Sequence, residues 1–217
     1  MSVIELPPYV PTGDVASDKA TWRTLVRQTR RRLVEGWTTQ DREQAAEALR
    51  VAGLRLLQEV VGPGGVTAGT TVTAFEPMRT EPPVQALTAA LQQAGARVLV
   101  PLTLERPRLD WADLADPDRR PLGEGALAAL DLALVPGLAV SGAGVRLGQG
   151  GGYYDAVLPR LRELSGGVPV VLVLHDHEVV PQVPADAHDA VVDAVLRPAT
   201  GVCPVPLDPG VRLTPRG

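Results

Sequence analysis

Aromatic side chains are scarce in this sequence, with one Phe, three Tyr and three Trp among 217 residues. A core built without them must draw on Ala, Val and Leu. The supply is sufficient, since 45% of the chain is hydrophobic and the length allows a sizeable interior. Cys203 is the single cysteine, which excludes an intramolecular disulfide and a cysteine zinc cluster and suits a reducing, cytoplasmic setting. No apolar run approaches the ~20 residues of a membrane span. An excess of basic charge is lacking too: 21 Lys and Arg face 25 Asp and Glu, a net charge of −4. That argues against a nucleic-acid partner, which demands a broad basic face, and leaves local basic clusters free to bind a small anion. Residues 1–17 contain Pro7, Pro8 and Pro11 and lack the basic start and apolar stretch of a signal peptide. They read as an extended N-terminal tail.

The pattern after this tail is regular. Residues 18–35 read as a helix capped by Ser17 or Asp18. Its apolar side is Trp22, Leu25, Val26, Thr29 and Leu33, while Lys19, Arg23, Arg27 and Arg30 share another face by their spacing. Thr38 and Asp41 have capping-box spacing and open a second helix, which ends before Gly62. Strands are expected at Thr70 to Phe75, at Arg97 to Val100 closed by Pro101, at Leu132 to Val135, and at Val191 to Leu196. Helices are expected at Val84 to Ala94, Glu124 to Leu130 and Tyr153 to Leu164, the last with Pro159 as an irregularity. Val168 to Leu174 is an unbroken run of valine, leucine and one proline, which suits a strand buried on both faces. Residues 198–217, rich in Pro and Gly, read as a loose C-terminal tail. Strands alternating with helices predict an α/β fold, a single three-layer α/β/α domain over 18–197 with a largely parallel sheet.

The chemistry concentrates in Arg146-Leu147-Gly148-Gln149-Gly150-Gly151-Gly152-Tyr153-Tyr154-Asp155. Four glycines in five positions expose backbone N–H groups to a phosphate. The helix that follows adds partial positive charge at its start. Arg146 supplies a bidentate cation, and Asp155 is an oxygen ligand for magnesium shared with the phosphates. The loop is neither a Walker A motif nor a dinucleotide fingerprint, since it lacks Gly-Lys-Ser/Thr and a glycine at the sixth position. A flexible loop without a ligand is the plainer reading of such glycines.

The string from Leu134 to Asp155, LVPGLAVSGAGVRLGQGGGYYD, resembles the signature of the 5-formyltetrahydrofolate cyclo-ligase (5,10-methenyltetrahydrofolate synthetase) family. The likeness extends to Lys19-x-x-x-Arg23, to Phe75, Met78 and Glu81, and to Val183-Pro184 followed by His188-Asp189 and Asp193, so it covers about residues 18–197. It implies ATP-dependent conversion of 5-formyltetrahydrofolate to 5,10-methenyltetrahydrofolate with release of ADP and phosphate. ATP would phosphorylate the formyl oxygen, and N10 would then displace phosphate from the activated carbon. Phosphoryl transfer of this kind asks for positioning and charge neutralisation, with no covalent nucleophile. By the same resemblance Lys19, Arg23 and Arg146, Leu147, Gly148, Gln149, Gly150, Gly151, Gly152, Tyr153 and Tyr154 hold ATP. Glu76, Met78 and Glu81 line the folate side, with Gln149 to Tyr153 between the two substrates. Asp155 and Asp189 hold Mg2+. The enzyme is expected to act on these small molecules as a cytoplasmic monomer, with no membrane partner. The chain departs from the family pattern in three places: a short segment between Trp111 and Leu132, Glu76 where an uncharged residue is usual, and Ala187 where an acid is frequent. These bear on the folate side more than on ATP.

Plainer readings stand beside these. Arg27 and Arg30 to Arg32 read as a solvated helix face. Glu81, next to Pro82-Pro83, reads equally as a surface turn residue. Ser141 is a turn residue, because its surroundings are not a nucleophile elbow. His175 and His177 share a direction on an extended backbone and, with His188, would suit a metal-dependent hydrolase. A non-catalytic nucleotide- or folate-binding relative is the other alternative.

Overall fold

The computed structural model describes residues 5–206. Helix α1 (Val15–Glu35) begins earlier than its periodicity suggested, because Asp14 is the cap: its side chain accepts the amides of Ala16 and Ser17. Asp18 has a different task. It is buried and receives the Tyr9 hydroxyl at 2.7 Å and the Thr12 hydroxyl and amide at 2.7 and 3.1 Å. Residues 9–12 are thereby folded back onto the helix start, and Leu6 and Tyr9 pack beside Trp22. This part of the expected extended tail is therefore tied down; residues 1–4 lie outside the described residues. Helix α2 (Thr39–Val61) carries the capping box of Thr38 and Asp41.

Among the described residues seven strands form the main sheet: β1 (Thr71–Thr73), β2 (Arg97–Thr103), β3 (Leu109–Asp113), β4 (Leu132–Pro136), β7 (Val170–Val173), β9 (Ala194–Arg197) and β10 (Gly201–Pro204). Their order is β10-β9-β7-β4-β1-β2-β3. The five central strands are parallel, and the two edges, β3 and β10, are antiparallel. A second, small sheet holds β5 (Ala139–Ser141), β6 (Arg146–Leu147) and β8 (Val179–Val180), ordered β6-β5-β8.

Alternation in the buried strands explains the layers. Val171 and Val173 face one core with Leu56 and Leu57 of α2 and Leu87 and Leu91 of α3 (Gln85–Gln93). Val170, Leu172 and Leu174 face the other, with Leu158 and Leu161 of α4 (Tyr153–Ser165). A run of valine and leucine therefore lacks polar gaps because both of its faces are covered, each buried side chain contributing about 1.5–3 kcal/mol. Helix α1 lies apart, packing Trp22 and Val26 on Ala139, Leu147 and Val180 of the small sheet and on Leu138 just before β5.

Three expectations change. The strand from Arg97 does not stop at Pro101 but continues to Thr103. β1 has ended by that point, so Pro101 owes it no amide, and the Trp111 carbonyl opposite is taken by the Leu122 amide. Residues 124–129 form a 3-10 turn and not an α-helix. The Pro/Gly-rich stretch after 198 is no loose tail as far as Pro204: Asp176 catches the amides of Ala199 and Thr200 at 3.0 Å each, and the chain turns back as β10. Residues 207–217 lie outside the described residues.

Candidate active site

The carboxyl ends of β1, β2 and β4 open on one edge of the sheet, where ligands of such folds gather. A cavity of about 540 Å³ lies there, walled by Phe75, Pro101, Thr103 and Pro136 from these strand ends and by the glycine loop with the first turn of α4. Two loop glycines have backbone angles that only glycine adopts freely, Gly150 at φ +94° and Gly152 at φ +74°. Gly152 caps α4 in the left-handed conformation, so the helix amides open towards the loop.

Arg146, from β6, is 3% exposed. It donates to the Asp155 carboxylate and, at 3.4 Å, to the Pro136 carbonyl, and its guanidinium lies 5.6 Å from the Tyr154 ring centre. Its Nε and the Tyr154 hydroxyl are buried with no partner among the described residues. Burial pushes the Tyr154 hydroxyl pKa up, so this phenol stays protonated and available as a donor. Arg106 stacks over Tyr153 at 5.8 Å.

The basic face of α1 meets this loop from the side. Arg23 donates to the Gly148 carbonyl at 3.0 Å, and Arg27 to the Gln149 carbonyl at 2.6 Å and its side-chain oxygen at 3.1 Å. Burial and the neighbouring charges of Arg23, Arg30 and Arg31 lower the Arg27 pKa. Lys19 is buried between Asp186 and Asp189, with Nζ 2.7 Å from each. Burial pulls the Lys19 pKa down, and the two aspartates outweigh it and raise it.

Glu81, expected from the resemblance to bind the folate, is 4% exposed. Its carboxylate accepts the Met78 amide at 3.0 Å and the Gln149 side-chain amide at 3.1 Å. The surface-turn alternative for Glu81 is therefore wrong: Glu81 ends the turn that its amide closes on the Met78 carbonyl at 2.9 Å, and its side chain is buried. Met78 lines the same cavity and is half-exposed. Glu76, also on the wall, pairs with Arg119 at 2.9 Å. The short segment after Trp111 thus supplies the countercharge for the unusual acid.

Of the two expected magnesium ligands, Asp155 sits in the cavity wall, bonded to Arg146. Asp189 sits on Lys19, and the carbonyl of the next residue, Ala190, accepts the Arg146 amide at 3.1 Å. Both segments therefore adjoin Arg146. The histidines do not assemble: His175 meets the Thr80 carbonyl at 3.0 Å and stacks on His177, while His188 is exposed on the Asp186 turn. Among the described residues no group of three or more His, Cys, Asp or Glu is placed to hold a metal.

Arg27 and Arg30 are corrections to the solvated-face reading. Arg30 is buried and bonds Glu178 with Nε and Nη2 at 2.6 and 2.9 Å. Burial alone would raise the Glu178 carboxyl, but Arg30 outweighs it and holds it below the usual carboxylate range. The signal for both was present: residues 19, 23, 27 and 30 return to one helix face, the face on which Lys19 and Arg23 are expected, from the resemblance, to hold phosphates. Nothing in the sequence marked Glu178 or Asp186 as partners.

The model of the 5-formyltetrahydrofolate cyclo-ligase family matches residues 15–198. A 5-formyltetrahydrofolate cyclo-ligase of Mycolicibacterium smegmatis is 32% identical over 203 residues, 85% of this chain and 95% of the relative. The fold resembles a 5,10-methenyltetrahydrofolate synthetase of Mycoplasma pneumoniae, with TM-score 0.63 and 19% identity over 82% of this chain and 97% of the other. It likewise resembles that of Aquifex aeolicus, with TM-score 0.63 and 22% identity over 90% and 95%. With a match that runs from the start of α1 to the end of β9, the chain belongs to the 5-formyltetrahydrofolate cyclo-ligase family.

Proposed function

We propose that this chain closes 5-formyltetrahydrofolate to 5,10-methenyltetrahydrofolate in the cavity at the glycine loop, using ATP and magnesium. The ring-closing ligase activity is that of its family. One observation carries the assignment of the site: a single cavity is lined by Arg146 and the glycine loop and also by Glu81 and Gln149. Cationic and backbone donors for phosphates thus adjoin a buried carboxylate suited to the N–H groups of a reduced pterin.

In the reaction the formyl oxygen takes the γ-phosphoryl group and ADP leaves. N10 then bonds to the formyl carbon, that oxygen departs with the phosphate, and the N10 proton is lost. Arg146 and the loop amides neutralise the phosphates, assisted by the unpartnered Tyr154 hydroxyl as a donor. Arg23 borders the same loop from α1, Lys19 lies one turn earlier on that helix against Asp186 and Asp189, and both reach the phosphates by exchanging their present acceptors. Gln149, bonded to Glu81, lies between the two substrates and fixes their relative placement, which is the main demand of phosphoryl transfer. Asp155 and Asp189 offer oxygen donors of the kind magnesium prefers, and the ion, when bound, supplies charge neutralisation at the phosphates.

The partners in this reading are two small molecules, bound by a cytoplasmic monomer. No helix among the described residues is long and apolar enough to cross a membrane, and Cys203 is a free thiol. The test is turnover: purified protein should form the methenyl product and ADP only when ATP, magnesium and 5-formyltetrahydrofolate are all present. ATP binding without product would instead favour a non-catalytic relative.

A further inference from the structure

Arg30 is a guanidinium sealed inside the fold, at 1% exposure. Three groups surround it. Glu178, from the turn after β7, takes Nε and Nη2 at 2.6 and 2.9 Å. The Gly137 carbonyl, just past β4, takes Nη2 at 2.6 Å. The remaining nitrogen, Nη1, is buried, has no hydrogen-bond partner among the described residues, and lies 4.0 Å from Glu81 Oε1.

One cation therefore stands between two buried carboxylates, and they share it unequally. Both oxygens of Glu178 are bonded to Arg30, and Oε2 also accepts the His175 amide at 2.9 Å. Among the described residues Glu81 accepts hydrogen bonds from neutral donors alone, the Met78 amide and the Gln149 side chain. A buried carboxylate with no countercharge is costly, and the nearest cation to Glu81 is Arg30. It holds the turn at Gly137, where a Cβ would come within 3.4 Å of the Arg146 side chain.

A plain core ion pair does not account for this arrangement. Pairs kept for stability alone are replaceable by apolar side chains at little cost, and they do not leave an unspent donor beside a carboxylate of the cavity wall. We propose that Arg30 is a positioning residue for the folate side: its charge, anchored by Glu178, fixes the Glu81 carboxylate in the orientation that receives the pterin N–H groups. The proposal rests on the reading of the cavity given above, and it adds a residue that does not touch either substrate.

The test compares wild type with two double variants, Arg30→Met/Glu178→Met and Arg30→Gln/Glu178→Gln, and with Arg30→Lys and Glu178→Gln. Both doubles remove the two charges together, so neither leaves Arg30 or Glu178 without its partner; Glu81 alone loses its nearest cation, and the second double retains hydrogen-bonding groups. The readouts are KM for each substrate, kcat, and Kd for 5-formyltetrahydrofolate by equilibrium dialysis. In whichever double melts cooperatively, KM and Kd for the folate rise on the order of tenfold, while KM for ATP stays within about twofold. Arg30→Lys, which keeps a charge, recovers part of the loss. Glu178→Gln, which leaves the guanidinium beside Glu81, raises the folate constants less than the doubles do. Wild-type folate constants in the doubles overturn the proposal, as does a rise in Glu178→Gln equal to theirs. A wild-type protein that neither binds nor closes the folate overturns the reading of the cavity as well. Normal wild-type turnover with indifferent doubles overturns the Arg30 role alone.

Discussion

Gln149 Nε2 donates to Glu81 Oε1 at 3.1 Å, a single hydrogen bond that joins the glycine loop to the segment following β1. The loop is expected to hold phosphates and Glu81 the pterin, so this contact lies where the two substrates meet. Glu81→Gln keeps the shape and exchanges an ionic acceptor for a neutral amide. It should cost about 1.5–3 kcal/mol in kcat/KM for 5-formyltetrahydrofolate, the scale of a hydrogen bond to a charged group. KM for ATP should hardly move. Steady-state kinetics in each substrate decides the matter, and an equal loss in both would mean that Glu81 serves the loop and not the folate.

The phosphate side makes the opposite prediction. Arg146→Ala and Lys19→Ala should each weaken kcat/KM for ATP by about 1–3 kcal/mol. Arg146→Ala should also release Asp155, which is bonded to it. If ATP use in Arg146→Ala matches wild type, the glycine loop is not the phosphate site.

These two sides differed in how legible they were. The loop could be read because Arg146 to Asp155 is contiguous and each residue type in it has a phosphate chemistry. Glu81, next to two prolines, had equal standing as a surface residue until the fold turned it inward. The parallel sheet was visible in the apolar run 168–174, whose unbroken hydrophobicity reports two covered faces. The small sheet was not, because β6 and β8 are two residues each and no periodicity fits in two residues. β10 was hidden by composition: Gly and Pro mark turns, and here they flank a four-residue edge strand. Arg30 was misread because a charge on a helix face is usually solvated, and its partner Glu178 lies 148 positions away.

Acid should destabilise the protein in two stages. His175 and His177 are held below the ordinary histidine value of 6.5, by burial first of all. The unfolded chain therefore takes up protons that the folded one refuses, and stability falls as pH drops below 6.5. Glu178 is held below its ordinary 4.5, with Arg30 outweighing burial. Its contribution is complete above 4.5 and is lost as pH falls through the folded value. Urea midpoints measured from neutral pH downwards should decline first in the histidine range and then more steeply in the carboxylate range. A flat midpoint across the histidine range would contradict the buried, neutral state of these two rings.

Magnesium gives the last prediction. Asp155 is about a third exposed, with one carboxylate oxygen on Arg146. Its other oxygen has no partner among the hydrogen bonds of the described residues, so it can bind an ion without losing anything. Asp189 starts from a different position: Oδ1 is on Lys19, and Oδ2 takes both Lys19 and the Asp186 amide. For Asp189 to serve as a ligand, Lys19 must give up a contact, and the incoming phosphates offer it one. Lys19 would then exchange a carboxylate for phosphate oxygens as the ion arrives. This orders the effects of substitution. Asp155→Asn should raise the magnesium concentration needed for half-maximal turnover by on the order of tenfold, since a charged oxygen ligand is lost outright. Asp189→Asn should do the same and also change Lys19, which is left with Asp186 as its only carboxylate; KM for ATP should therefore shift in this variant and much less in Asp155→Asn. Magnesium titrations at fixed ATP, repeated at saturating ATP, separate the two effects. A wild-type magnesium requirement in Asp189→Asn would leave Asp189 as an anchor for Lys19 and nothing more.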